Sequence, residues 1–216
     1  MALSKKNIII GAARLFIGPA TTTPGASSKP AYVNGQRYST TLAGADGSTN
    51  TGVATLVTNW REVGYTMNGL AVANNPSWGE VQVDQLLDSA KIFKESMTFN
   101  VNTTLAETTL ENILVAWGQA SSSLTSSGTD REVVIQGGAL NDPPLERGLI
   151  AVGAGTENDN VSTNKELVYQ LYRVLSVDAV TATYSRSEAA NLPVNFRCLP
   201  ADDGNYGLLR ERANVT

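Results

Sequence analysis

The sequence predicts a mainly β protein, a β-sandwich or partly closed barrel with one flanking α-helix. Three observations carry that expectation. Apolar and polar residues alternate along several short runs, the period of a strand with one buried face. Turn-forming residues such as Gly, Pro and Asn punctuate those runs. One stretch alone, Leu105 to Trp117, repeats its apolar residues at helical spacing. Composition agrees: Ser, Thr and Asn fill a quarter of the 216 positions and charged residues only 17%, below the usual share of about 25%. The length suits a single domain, 1–216, carrying a long polar insertion at about 19–58.

The first apolar run, Ile8 to Ile17, is rich in isoleucine and closed by Gly18-Pro19, so it reads as one or two strands. Lys5-Lys6 ahead of it mimics a signal peptide, but Arg14 lies inside the would-be apolar region, where a charge is costly in a membrane. No run approaches the ~18 apolar residues of a spanning helix. The expectation is a soluble intracellular product without a membrane anchor. From Pro19 to Thr58 the composition turns to Thr, Ser, Gly and Ala with little core material. Connecting loops rarely exceed about 12–15 residues without a function. Two readings stay open, an insertion without fixed structure and a segment that orders only against a neighbouring subunit. Pro24, Lys29, Tyr32, Arg37, Tyr38 and Asp46 are its candidates for inter-subunit or inter-ring contact.

Regular patterning begins at Trp60. Arg61 to Thr66 and Leu70 to Ala73 flank Met67-Asn68-Gly69, and Asn-Gly between strand-like runs predicts a hairpin turn. Glu80 to Asp84 alternates strictly, which predicts Val81 and Val83 on a buried face and Glu80, Gln82 and Asp84 on a wet acidic one. Along Lys91 to Thr103, Met97, Phe99 and Val101 form the apolar face. The helix follows: Thr104 offers an N-cap with Glu107 three residues on, Gly118 suits the position just past the end, and Leu110, Ile113, Leu114 and Trp117 make the packing stripe. Further strands are expected at Glu132 to Gln136, Arg147 to Val152, Leu167 to Val177, Ala179 to Ser185 and Pro193 to Leu199. Leu167 to Ser185 would be a hairpin turning at Ser176-Val177-Asp178, with apolar residues on both faces of its first strand.

The absence of histidine removes Ser-His-Asp and Cys-His nucleophiles, HExxH zinc sites and imidazole acid-base catalysis. The lone Cys198 can form neither an intrachain disulfide nor a zinc site and reads as a small buried hydrophobe. A formal charge of -4 is the opposite of a phosphate-binding footprint. Glu80 and Asp84 on one strand would stand about 13 Å apart, too far for either glycosidase geometry. Asp202-Asp203-Gly204-Asn205 reads as a turn rather than a calcium loop, and Gly137-Gly138 and Gly153-Ala154-Gly155 lack the strand-to-helix context of a nucleotide loop. The expectation is a protein that is not an enzyme and needs no cofactor or metal.

Three stretches, read in order, resemble the major tail tube proteins of long-tailed, siphovirus-like bacteriophages. Asn7 to Pro19 is similar to that family's N-terminal strand. Val63-Gly64-Tyr65-Thr66 with Asn68-Gly69, then Val81-Gln82-Val83-Asp84-Gln85, then Thr103-Thr104-Leu105-Ala106-Glu107 running on to Asn112, resemble its hairpin, its valine-aspartate-glutamine strand and its helix start. The last long strands with Asn195-Phe196-Arg197-Cys198-Leu199-Pro200-Ala201-Asp202-Asp203-Gly204 complete the series. The segment from Pro19 to Thr58 departs from the shortest members.

That resemblance implies a tail-tube fold, with hexameric rings that join their sheets into a continuous inner β-barrel and stack into the conduit for DNA delivery. About four inner strands from each of six subunits, at ~4.8 Å spacing and ~40° tilt, give a backbone diameter near 48 Å and a bore of roughly 40 Å. Duplex DNA passes such a bore without specific binding, and a low charge keeps the wall from holding it. Glu80, Gln82 and Asp84 are candidate lumen-lining residues on this view and an ordinary solvated edge otherwise. The implied partners are further copies of the chain, a tape measure protein, and tail-tip and tail-terminator proteins; the implied location is the virion tail, assembled in the host cytoplasm. A tube protein of a contractile injection or type VI-like system would share the fold. A secreted β-sandwich binding module would share the composition, but Trp60, Trp78 and Trp117 are too scattered for an aromatic platform.

Overall fold

The computed structural model describes residues 13–20, 60–138, 140, 142–155, 165–187 and 189–212. In chain order these form β1 (Arg14–Pro19), β2 (Arg61–Glu62), β3 (Thr66–Val81), β4 (Lys91–Leu105), α1 (Leu110–Ala116), a 3-10 turn (Ser121–Ser123), β5 (Leu124–Ser127), β6 (Asp130–Val133), β7 (Arg147–Ala154), β8 (Glu166–Ser176), β9 (Leu192–Leu199) and β10 (Gly207–Arg212). The protein is mainly β with one α-helix among the described residues. Residues 24, 29, 32, 37, 38 and 46 lie outside them, as does the start of the first apolar run.

One antiparallel sheet runs in the order β2-β1-β7-β8-β9-β4-β3, and β10 adds to β8. β5 and β6 form a separate two-stranded ribbon. The two ends of the long sheet, β2 and β3, are consecutive in the chain and only residues 63–65 separate them. Such a link reaches at most about 14 Å, so the sheet must curl until its ends nearly meet. Hydrogen bonds hold the link on both sides: Val63 N donates to Leu15 O (3.0 Å) on β1, and Ala106 N just past β4 donates to Tyr65 O (2.9 Å).

The concave side of the curl holds the main core. Leu15 and Ile17 of β1, Leu149 of β7, Leu171 of β8, Phe196 of β9 and Val101 of β4 are all buried there, with Val115 and Ala116 of α1 packed on them. Alternation along β1 and β7 sends Phe16, Ile150 and Val152 to the opposite face, where they join Trp60 and Val168 in a second buried cluster. Trp60 lies flat on two glycines: a Cβ on Gly18 would come within 2.5 Å of its ring, and one on Gly148 within 2.8 Å. Cys198 sits in the main core, and burial pushes its thiol up to about 12.

Several expectations are corrected. Asn68-Gly69 does adopt positive φ (63° and 72°), but inside the single strand β3 as a bulge between Met67↔Thr104 and Leu70↔Thr103, not as a hairpin turn. Thr103 Oγ1 donates to Gly69 O (2.9 Å) and takes up a carbonyl that the bulge frees from the ladder. Thr104 and Leu105 belong to β4, so the helix starts later, with Thr109 as N-cap accepting from Asn112 N. It ends as expected: Gly118 has φ 64°, and Gly118 N and Gln119 N donate to Val115 O and Leu114 O, closing the last turn. The stripe that the helix buries is Asn112, Leu114, Val115 and Ala116; Ile113 packs on the core's edge, Leu110 is half-buried, and Trp117, which lies past the last helical residue, is exposed. Residues 177–185 form no strand. The partners of β8 are instead β7 on one edge and β10 and β9 on the other, and residues of both its faces are buried at Gln170, Leu171 and Tyr172.

Candidate functional site

The long hairpin of β3 and β4 is where the molecule leaves its own core. The two strands pair from Thr66↔Leu105 out to Val81↔Lys91, but β9 covers β4 only from Phe99 to Leu105. Beyond Phe99 the hairpin is a two-stranded ribbon of about seven residue pairs, roughly 23 Å long. Isolated ribbons of this kind are marginal in water. This one carries apolar side chains in the open: Trp78 is 58% exposed and Ile92 60%, Val81 and Phe93 are also exposed, and Leu86 and Leu87 stand out at the tip. Phe93 lies across the strand on Gly79, where a Cβ would come within 2.6 Å of its ring. A bulge between Ser77 and Trp78 adds local twist.

Glu80, Gln82 and Asp84 do not share one strand. β3 ends at Val81, and Leu86 N→Val83 O (3.2 Å) and Ala90 N→Val81 O (2.8 Å) turn the chain back. The three residues therefore follow the tip of the ribbon, all exposed, with Glu80 Oε2 accepting from Ser89 Oγ (2.6 Å). Val81 and Val83 are exposed with them because no described residue packs on the ribbon tip; their expected burial is not found. Alternation in the sequence marked a strand there correctly at one end but could not show that the strand projects.

At the root of the ribbon, Met97 and Phe99 face not the deep core but a groove of about 640 Å³ between the ribbon and β10. Val101, next on the same face, is in the core. Tyr206 bridges the groove's inner end, stacking on Phe99 (6.1 Å between ring centres) and donating from Oη to Met97 O (3.0 Å). Sequence reading missed this tyrosine and β10 altogether, since Gly207–Arg212 has only two apolar residues to set against three charged ones. The turn that leads there was legible: Gly204 has φ 78°, and Asp203 Oδ1 accepts from Asn205 N (3.0 Å).

Two strand edges complete the surface. Among the described residues, β3 pairs only with β4, and β10 only with β8. Each therefore presents a row of main-chain donors and acceptors to whatever approaches. Among the described residues no group of three or more His, Cys, Asp or Glu is placed to hold a metal, and no helix is long and apolar enough to cross a membrane. No protein-family model matches this chain, and a search of curated proteins returns no match.

Proposed function

We propose that this chain is a structural subunit that polymerises, in the manner of a phage tail tube protein, into stacked hexameric rings through which double-stranded DNA passes without specific binding. The observation that carries the proposal is the β3–β4 ribbon, which extends past its last supporting strand with Trp78, Ile92, Phe93 and Leu87 in solvent. A monomer gains nothing from such a ribbon, whereas burial against a neighbouring copy stabilises it at roughly 25 cal/mol per Å² of apolar surface covered. The open edges of β3 and β10 offer a second mode of contact, strand addition between copies. Pairing of the β3 edge of one copy with the β10 edge of the next would be a heterologous contact, and such contacts can close a ring or repeat along an axis. Tape measure, tail-tip and terminator proteins are the partners this role implies.

The test is negative-stain electron microscopy of the full-length protein with mass by light scattering, fresh and after days of incubation. Six-fold rings or hollow tubes are expected. A chain that stays monomeric and also fails to extend isolated tail-tip complexes overturns the proposal and favours a monomeric binding module.

A further inference from the structure

Arg61 and Arg147 reach the same place from opposite sides of β1. Arg61 pairs with Ile17 and Arg147 with Pro19, so register puts both on the concave face, one row apart, with Cα atoms roughly 12 Å from one another. Their side chains converge on a cavity of about 450 Å³ floored by Ile17 and walled by Leu114 and Val115 of α1 and by Leu145. Arg61 Nη1 donates to Glu62 O (3.2 Å) and Arg147 Nη2 to Gln119 O (2.5 Å). Arg61 Nη2 and Arg147 Nε are buried with no hydrogen-bond partner. The two carboxylates at the rim are engaged elsewhere. Glu111 is paired with Arg131, and both oxygens of Glu146 accept from Arg173 (2.6 Å each).

Two half-buried like charges, each with one buried unused donor, are an uncomfortable arrangement. Burial holds both guanidiniums below their ordinary value; Glu111 and Glu107 offset part of this at Arg61, while Arg61 lowers Arg147 further. A buried guanidinium donor without an acceptor is costly, and a planar fork is shaped to take two oxygens of one group. We propose that Arg61 and Arg147 form a binding site for a single oxyanion, a carboxylate or an inorganic ion of the sulfate type, in the cavity between β1 and α1. The carboxylate of a neighbouring copy and a free ion share this chemistry. The site is built within one chain, and only the choice of a neighbouring copy as its source of carboxylate rests on the proposed assembly.

The test is a calorimetric titration of the unassembled full-length protein with sodium sulfate, and separately with sodium acetate, at constant ionic strength set by sodium chloride. Saturable binding of one anion per chain is expected, weakened at least tenfold in Arg61→Gln and Arg147→Gln and unchanged in Arg197→Gln, whose side chain is exposed on β9. If either glutamine variant fails to fold, the Arg61→Lys and Arg147→Lys variants replace it, because an ammonium keeps the charge but lacks the fork. Binding lost on assembly assigns the site to a neighbour's carboxylate, and binding retained assigns it to a free ion. No saturable heat with either salt up to 100 mM, or equal binding in the arginine variants, overturns the proposal.

Discussion

Asn112 is fully buried on α1, and its Nδ2 donates to Val63 O and to Glu107 O (2.8 Å each). One side chain thus ties the helix to the link that closes the sheet. Beside it, Glu107 Oε1 accepts from Tyr65 N (2.9 Å) and fills the space next to Gly64, whose φ is 81°. Asn112→Ala leaves two buried carbonyls without these donors and should lower stability by about 1–3 kcal/mol in denaturant unfolding. Glu111 shows the effect of charge. Its hydrogen bond to Arg131 holds its carboxyl below the ordinary 4.5. A depressed folded value means the pair contributes fully above pH 4.5 and is lost as pH falls through the folded value. Glu111→Gln should therefore trail the wild type at pH 7 by up to about 1 kcal/mol, the ceiling for an exposed pair, and converge on it as the pH falls below 4.5 through the folded value, in chemical unfolding at each pH.

At the scale of elements, the ribbon and the helix behave oppositely toward the core. α1 needs it: a seven-residue helix is too short to stand alone and is held by Leu114, Val115 and Ala116. The ribbon beyond Phe99 does not touch it, so substitutions there separate folding from assembly. Phe93→Asp at a position 46% exposed should change unfolding free energy by about 0.5 kcal/mol or less. It should abolish rings and tubes in electron microscopy if the ribbon is the contact between copies. Normal assembly by this variant would remove the ribbon from that role. The same contrast explains why alternation along Glu80 to Asp84 misled: the pattern of a half-buried strand was present, but no described residue covers its apolar face.

For the whole molecule, closure is the deciding feature. β2 and β3 end up at opposite margins of the sheet and yet adjoin in the chain, and the curl buries one face of β1, β7, β8, β9 and the inner half of β4 in the main core. Among the described residues, the outer side of β3 and that of β10 are long edges left unpaired. Soluble monomers usually blunt such edges with charges, prolines or short length. β10 carries Arg210 and Glu211, whereas β3 runs for 16 residues with Pro76 as its one proline and Glu80 as its one charge. The longer and less protected edge adjoins the exposed ribbon, which places strand pairing and apolar contact on one side of the molecule. In the tube assignment, the same microscopy that shows rings should give a bore of roughly 40 Å, the width expected for about 24 tilted strands.

The sequence by itself determined the class: alternation, scattered turn residues and one helical stripe are local signals, and strands at Arg147, Leu167 and Pro193 appear close to where those signals lie. It also determined the helix stop at Gly118 and the burial of Cys198, because a positive φ and a small apolar side chain are properties of single positions. Pairing was decided only by the tertiary structure. Asn68-Gly69 is equally suited to a turn or a bulge, and the continued pairing of β3 with β4 made it a bulge. The partners of β8, the closing link at 63–65, the approach of Arg61 to Arg147 and the exposure of the ribbon all depend on residues distant in sequence meeting across the sheet. No local pattern encodes which strand a given edge will find; the free energy of the closed core does.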